Sequence, residues 1–197
     1  MKTLDSLFVH FLRDIYYAEK QVLKTLPKMA RKASSPELQE AFEHHREETE
    51  TQIANLEQVF EALGLKPRGV TCEAINGILD EGKEIMSEVE DAQVRDAGLI
   101  AAAQAVEHYE IARYGTLRRW AQALELPEAV KLLEETLKEE SKHCDLDTAL
   151  ADGTCCDKAS GHVKEGITDI SLRWCTTLSD PLWEEPPTPE QLERSEA

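Results

Sequence analysis

Several acidic residues stand where an apolar side chain belongs. Glu19 falls between Ile15 and Val22, the three residues following one another at i, i+4 and i+7 on a single helical stripe. His45, Glu48 and Gln52 continue a stripe that runs from Leu38 and Ala41 towards Leu56 and Val59. Glu107 and Glu110 share the face of Ala103 and Val106. Glu140 follows Leu133 and Leu137, with His143 about one turn on. An isolated carboxylate in a core is costly and neutralises itself by a pKa shift. Converging carboxylates repel one another unless cations sit among them. Two divalent ions would set +4 against the −5 of Glu19, Glu48, Glu107, Glu110 and Glu140. Histidines can then complete the coordination as neutral ligands, and such an oxygen-rich set suits iron or manganese better than zinc.

Di-metal carboxylate bundles draw their ligands from Glu residues and Glu-x-x-His pairs on facing helices. Glu140-Ser-Lys-His143 has that spacing, His45-Arg-Glu-Glu48 has it reversed, and Glu107-His-Tyr-Glu110 offers two acids. His45 reads equally as a ligand or as a core histidine hydrogen-bonded to a neighbouring carboxylate. Gln52 reads as a hydrogen-bond partner of a ligand. His44 and His108 lie one position off the stripes and read as outer residues. Tyr16, Tyr17, Tyr109 and Tyr114 read as packing, with electron or hydrogen-bond donation to a metal as the sharper alternative. Cys144, Cys155, Cys156 and His162 have no diagnostic ligand spacing.

Four long stretches of helical period must position these residues, and β signals are nearly absent. The first spans about 4–31, with Pro27 expected to kink its last turns. The second opens at Ser35-Pro36-Glu37, a capping residue, a proline at the first helical position and an acid on the positive helix end, and Gly64 stops it. The third begins near 91–96 and runs to about 124, and the fourth spans about 127–150. Gly115 inside the third costs about 1 kcal/mol relative to Ala, and close helix approach is the expected compensation. The 28 residues between the second and third helices carry a shorter amphipathic piece over 72–89. Two antiparallel pairs joined by one long crossover give an all-α, ferritin-like four-helix bundle with a short extra helix. The expected division is a bundle over 1–152 and an irregular, Pro- and Glu-rich tail over 153–197, disordered or loosely docked.

The chain has 197 residues with 22 Lys and Arg against 39 Asp and Glu, a net charge of −17. So negative a chain is a poor match for nucleic acid or an anionic membrane surface and is compatible with cations. No signal peptide or spanning segment is visible, and the five cysteines form no secreted framework, so a cytoplasmic home is expected.

The segments LFVHFLRDIYYAEKQVLKTLPKMA, LQEAFEHHREETETQIANLEQVF, AAQAVEHYEIARYGTL and LLEETLKEES resemble the YciE/YciF family of bacterial ferritin-like stress proteins, over roughly residues 1–150. The resemblance implies a homodimer and a di-metal centre related to those of rubrerythrin and manganese catalase, in a cytoplasmic protein linked to stress. The family's acidic core positions map onto Glu19, Glu48, Glu107, Glu110 and Glu140. One departure concerns the fourth helix, where His143-Cys144-Asp145 stands in place of a following acid and leaves the sixth ligand open between His143 and Asp145, with Cys144 conceivable. The resulting reading is a di-iron or di-manganese centre acting on oxygen, peroxide or ferrous iron. The rival readings are a structural or interaction bundle whose metal only rigidifies the core, and a closed storage shell.

Overall fold

The computed structural model describes residues 1–150, with side chains described through Lys142. The side chains of His143, Cys144 and Asp145 lie outside that description, as does the whole chain from residue 151 onward. Five helices follow in order: α1 (Leu4–Lys32), α2 (Pro36–Ala62), α3 (Glu73–Glu88), α4 (Ala92–Ala123) and α5 (Pro127–Leu150), with no strand among the described residues.

Local chemistry sets the helix ends. Thr3 and Ser6 form a reciprocal capping box that satisfies two orphan backbone N–H groups at the start of α1. The helix continues through Pro27 and ends on Arg31 and Lys32, cations at its negative pole. Ser35 caps α2, accepting from the Leu38 N–H at 3.4 Å, and Pro36 occupies the first helical turn. Gly64, at φ +67°, reverses the chain after α2 in a conformation where a Cβ would be strained. The Asp91 carboxylate accepts from the Gln93 and Val94 N–H groups, each at 2.9 Å, and starts α4.

The pairings fix the topology. Tyr16 reaches Glu57 and packs on Phe60, so α1 and α2 are antiparallel. Asp96 bonds Ser34 while Trp120 meets Phe11, so α4 is antiparallel to α1 as well. The end of α2 and the start of α4 therefore lie at opposite ends of the bundle. The crossover bridges that length. Val70 donates to the Arg13 carbonyl at 3.1 Å, Tyr17 bonds Asn76, and α3 then runs alongside α1 and against α4. The 16-residue α3 covers about 24 Å of that length, and the segment before it, pinned at Val70, covers the rest.

Close helix approach occurs at Gly98, not at Gly115. A Cβ on Gly98 would come within 2.7 Å of Ile85 Cγ2, whereas one on Gly115 meets nothing within 4 Å among the described residues. The expected compensation for Gly115 is therefore absent: the tight seam lies between α3 and α4, where Gly82 also faces Ala102.

Asp96, 2% exposed, stands two residues before Gly98 on α4 and makes a different tie. Its carboxylate accepts from the Ser34 N–H at 2.8 Å, the Ser35 N–H at 2.9 Å and the Ser34 hydroxyl. The α1–α2 turn is thereby fastened to the first turns of α4.

Candidate metal centre

The polar residues form one layer across the middle of the core. On α1, Glu19 is fully buried between Ile15 and Val22. On α2, His45, Thr49 and Gln52 are buried between Phe42 and Leu56. Glu107 and Glu110 are buried on α4, with Tyr114 one turn beyond, and Thr136 and Glu140 are buried on α5. Apolar side chains on both sides of the layer shut water out, so each carboxyl keeps only the partners that the helices bring.

His45, Glu107, Glu110 and Glu140 each place a ligand atom within 4.8 Å of all the others. His45 Nδ1 stands 3.2 Å from Glu107 Oε1. Gln52 Nε2 donates to Glu140 Oε1. The Tyr114 hydroxyl donates to Glu19 Oε1 at 2.6 Å. Neither oxygen of Glu110 receives a hydrogen bond from an N–H or hydroxyl donor among the described residues, and its carboxyl faces that of Glu140.

Burial raises the Glu110 pKa well above the ordinary glutamate value, and the negative charges of Glu19, Glu140 and Glu107 raise it further. Burial does the same to Glu19, Glu140 adds to the rise, and the Tyr114 hydrogen bond opposes it. Burial and the neighbouring acids also push Tyr114 upward, so its phenol keeps its proton and serves as a donor. A core that must protonate its carboxyls to remain neutral is chemically equivalent to one that exchanges those protons for cations.

Of the residues the sequence singles out, His45, Glu107, Glu110 and Glu140 come together, and Glu19 borders them through its charge on Glu110 and Glu140. Glu48 differs. Its side chain is 26% exposed and bonds His44 Nδ1 at 2.9 Å. The buried stripe of α2 is His45, Thr49, Gln52 and Leu56, and at ~100° per residue Glu48 lies about 70° from its centre. Glu48 therefore sits at the rim of the layer. His143 lies on α5, and its side chain is outside the described ones. Gln52 does bond a candidate ligand. Tyr16, Tyr17 and Tyr109 bond Glu57, Asn76 and Asp14 respectively. Tyr114 is the tyrosine in the layer. Its place four residues after Glu110 carried that signal, as Thr136, between Leu133 and Glu140, carried its own.

The fold and this layer define a ferritin-like helical bundle with an acidic, histidine-containing core. The chain belongs to the family described as Domain of unknown function (DUF892), matched over residues 3–160, which supports the YciE/YciF resemblance. It is 49% identical over 141 residues to Protein YciF of Escherichia coli K12, spanning 71% of this chain and 85% of that one. The crystal structure of the E. coli stress protein YciF superposes with a TM-score of 0.75 at 47% identity, covering 77% of this chain and 96% of that chain. YcfI from Rhodopseudomonas palustris gives a TM-score of 0.73 at 48% identity over 74% and 93% of the two chains. No helix among the described residues is long and apolar enough to cross a membrane.

Proposed function

We propose that the buried layer is a di-metal centre, with Glu19, Glu107, Glu110, Glu140 and His45 as ligands and iron or manganese as the metal. The carrying observation is the convergence of four fully buried carboxyls and a histidine in a core that supplies them few donors. Four carboxylates balance two divalent cations. Glu48 at the rim and His143 on α5 are the further candidates for completing the set. A redox-active metal pair, when bound, supplies one-electron or two-electron chemistry towards oxygen, peroxide or ferrous iron. The protein's own part is positional. Gln52 orients Glu140, Tyr114 orients Glu19, and the flanking apolar layers exclude water.

The link to stress follows the E. coli stress protein YciF; a homodimer in the bacterial cytoplasm, built from the bundle over 1–152 with the tail over 153–197 beside it in sequence, is the setting that the family resemblance implies. Elemental analysis of natively expressed protein tests the centre, with Glu107→Gln and Glu140→Gln alongside. About two ions per chain, falling below one in each variant, is the expected result. Substoichiometric metal that neither substitution alters defeats the reading. On a sizing column the expected mass is twice the 22.2 kDa of one chain, whereas a closed shell would elute far larger.

A second reading is a structural bundle in which the metal only stiffens the core, and the description of YcfI as a structural protein favours it. Rapid peroxide loss or iron oxidation by metal-loaded protein separates the two.

A further inference from the structure

Acids outnumber bases by 39 to 22 in this chain, yet from Lys20 to Pro36 there are five cations and no acid. Lys28, Arg31 and Lys32 are exposed at the end of α1 and make no side-chain ion pair among the described residues. They border a recess of about 340 Å³, whose other wall is Lys83, Met86 and Ser87 of α3. Each helix contributes residues at i, i+3 and i+4, so two ridges of side chains face each other across the recess. No acid lines it. Met86 is nearly buried and forms a carbon floor, and Ser87 adds an exposed hydroxyl.

Compensation of the helix poles accounts for only part of this charge. The C-terminal ends of α1 and α3 each carry about half a negative charge. Lys83 is already engaged by Asp80 at 2.6 Å. Lys28, Arg31 and Lys32 bring three full positive charges, leaving about two beyond the two poles. A phosphate monoester carries about 1.5 to 2 negative charges at neutral pH. On the measure by which one water needs roughly 10–15 Å³, the recess offers about 340 Å³, room for an organic group lying on Met86 behind its phosphate.

We infer that this recess between the C-terminal ends of α1 and α3 is a binding site for a small organic phosphate monoester. Arg31 presents a planar fork suited to two phosphate oxygens, and Lys28 and Lys32 add point charges. Lys83 exchanges Asp80 for the ligand, and Ser87, whose hydroxyl donates to the Glu84 carbonyl at 3.0 Å, turns that donor to the ligand. The site is separate from the carboxyl layer and does not depend on the metal reading.

Isothermal titration of the full chain with adenosine 5′-monophosphate tests this, with adenosine and inorganic phosphate as reference probes. Saturable binding of the monophosphate is expected, with inorganic phosphate weaker and adenosine silent. The double variant Lys28→Ala/Arg31→Ala should bind it at least tenfold more weakly, since a charged hydrogen bond contributes about that factor. Lys131→Ala/Lys138→Ala alters the net charge equally on α5 and should bind as the parent does. Absence of monophosphate binding overturns the inference. So does equal loss in both double variants, which would mean diffuse attraction, or equal binding of adenosine, which would mean the phosphate is not read. All four substituted side chains are exposed on helices, and circular dichroism verifies that each variant is folded.

Discussion

Glu110→Gln tests the electrostatics of the buried layer, because it removes an ionisable group while keeping the side-chain shape. In metal-free protein, burial and three neighbouring acids hold the Glu110 pKa well above its ordinary value, and Glu19 is raised for similar reasons. The folded state thus binds protons more tightly than the unfolded chain. The associated stability is fully present below the unfolded value of about 4.3 and is lost as pH rises towards and through the folded values. Each such carboxyl contributes a slope of up to about 1.36 kcal/mol per pH unit, so the pair gives at most about 2.7. Metal-free protein should therefore lose stability as pH rises above the unfolded value of about 4.3, and Glu110→Gln should roughly halve the slope and be the more stable protein at the alkaline end of that fall. Metal should reverse the sign, because ligands must shed protons to bind it, and apparent affinity should rise by up to about tenfold per proton released per pH unit. Urea midpoints followed by circular dichroism at several pH values, in chelator and in manganese, read both slopes. Metal-free stability that stays flat or rises across this range, in parent and variant alike, refutes the reasoning.

Tyr114→Phe leaves a buried Glu19 oxygen without its donor and should weaken metal binding by roughly tenfold, measured by competition with a chelator. Asp96→Ala removes three hydrogen bonds at a nearly buried site and should cost about 2–3 kcal/mol in urea unfolding, with metal content per folded chain unchanged. Gly115→Ala has open space for its methyl and should stabilise α4 by about 0.5–1 kcal/mol. Gly98→Ala meets Ile85 and should destabilise by about 1–3 kcal/mol, so thermal melts of the two variants should move in opposite directions.

The helices were legible because each is amphipathic and punctuated by its own residues: Ser35-Pro36 opens α2, Gly64 closes it, and Asp91 opens α4. The buried carboxyls of α1, α4 and α5 were legible for a related reason. Apolar neighbours one turn away on both sides leave Glu19 no solvated direction. Glu48 shows where that reasoning thins, since spacing of three from His45 fits the stripe pairwise but falls at its edge once Thr49, Gln52 and Leu56 define the centre. Asp96 was not legible at all, because its partners are some sixty residues away in the chain. The glycines divide on the same ground. Propensity is equal at Gly98 and Gly115, and only the neighbouring helix distinguishes them.

The crossover has a consequence for assembly. It joins a first hairpin, α1 with α2, that carries Glu19 and His45, to a second, α4 with α5, that carries Glu107, Glu110 and Glu140. Neither half holds the whole proposed ligand set. If the chain is cut between α2 and α3, the ions become the adhesive between two fragments, and manganese should promote their reassociation. In the uncut chain the tether fixes their effective concentration, so that metal loading doubles as a report that both hairpins have folded and met.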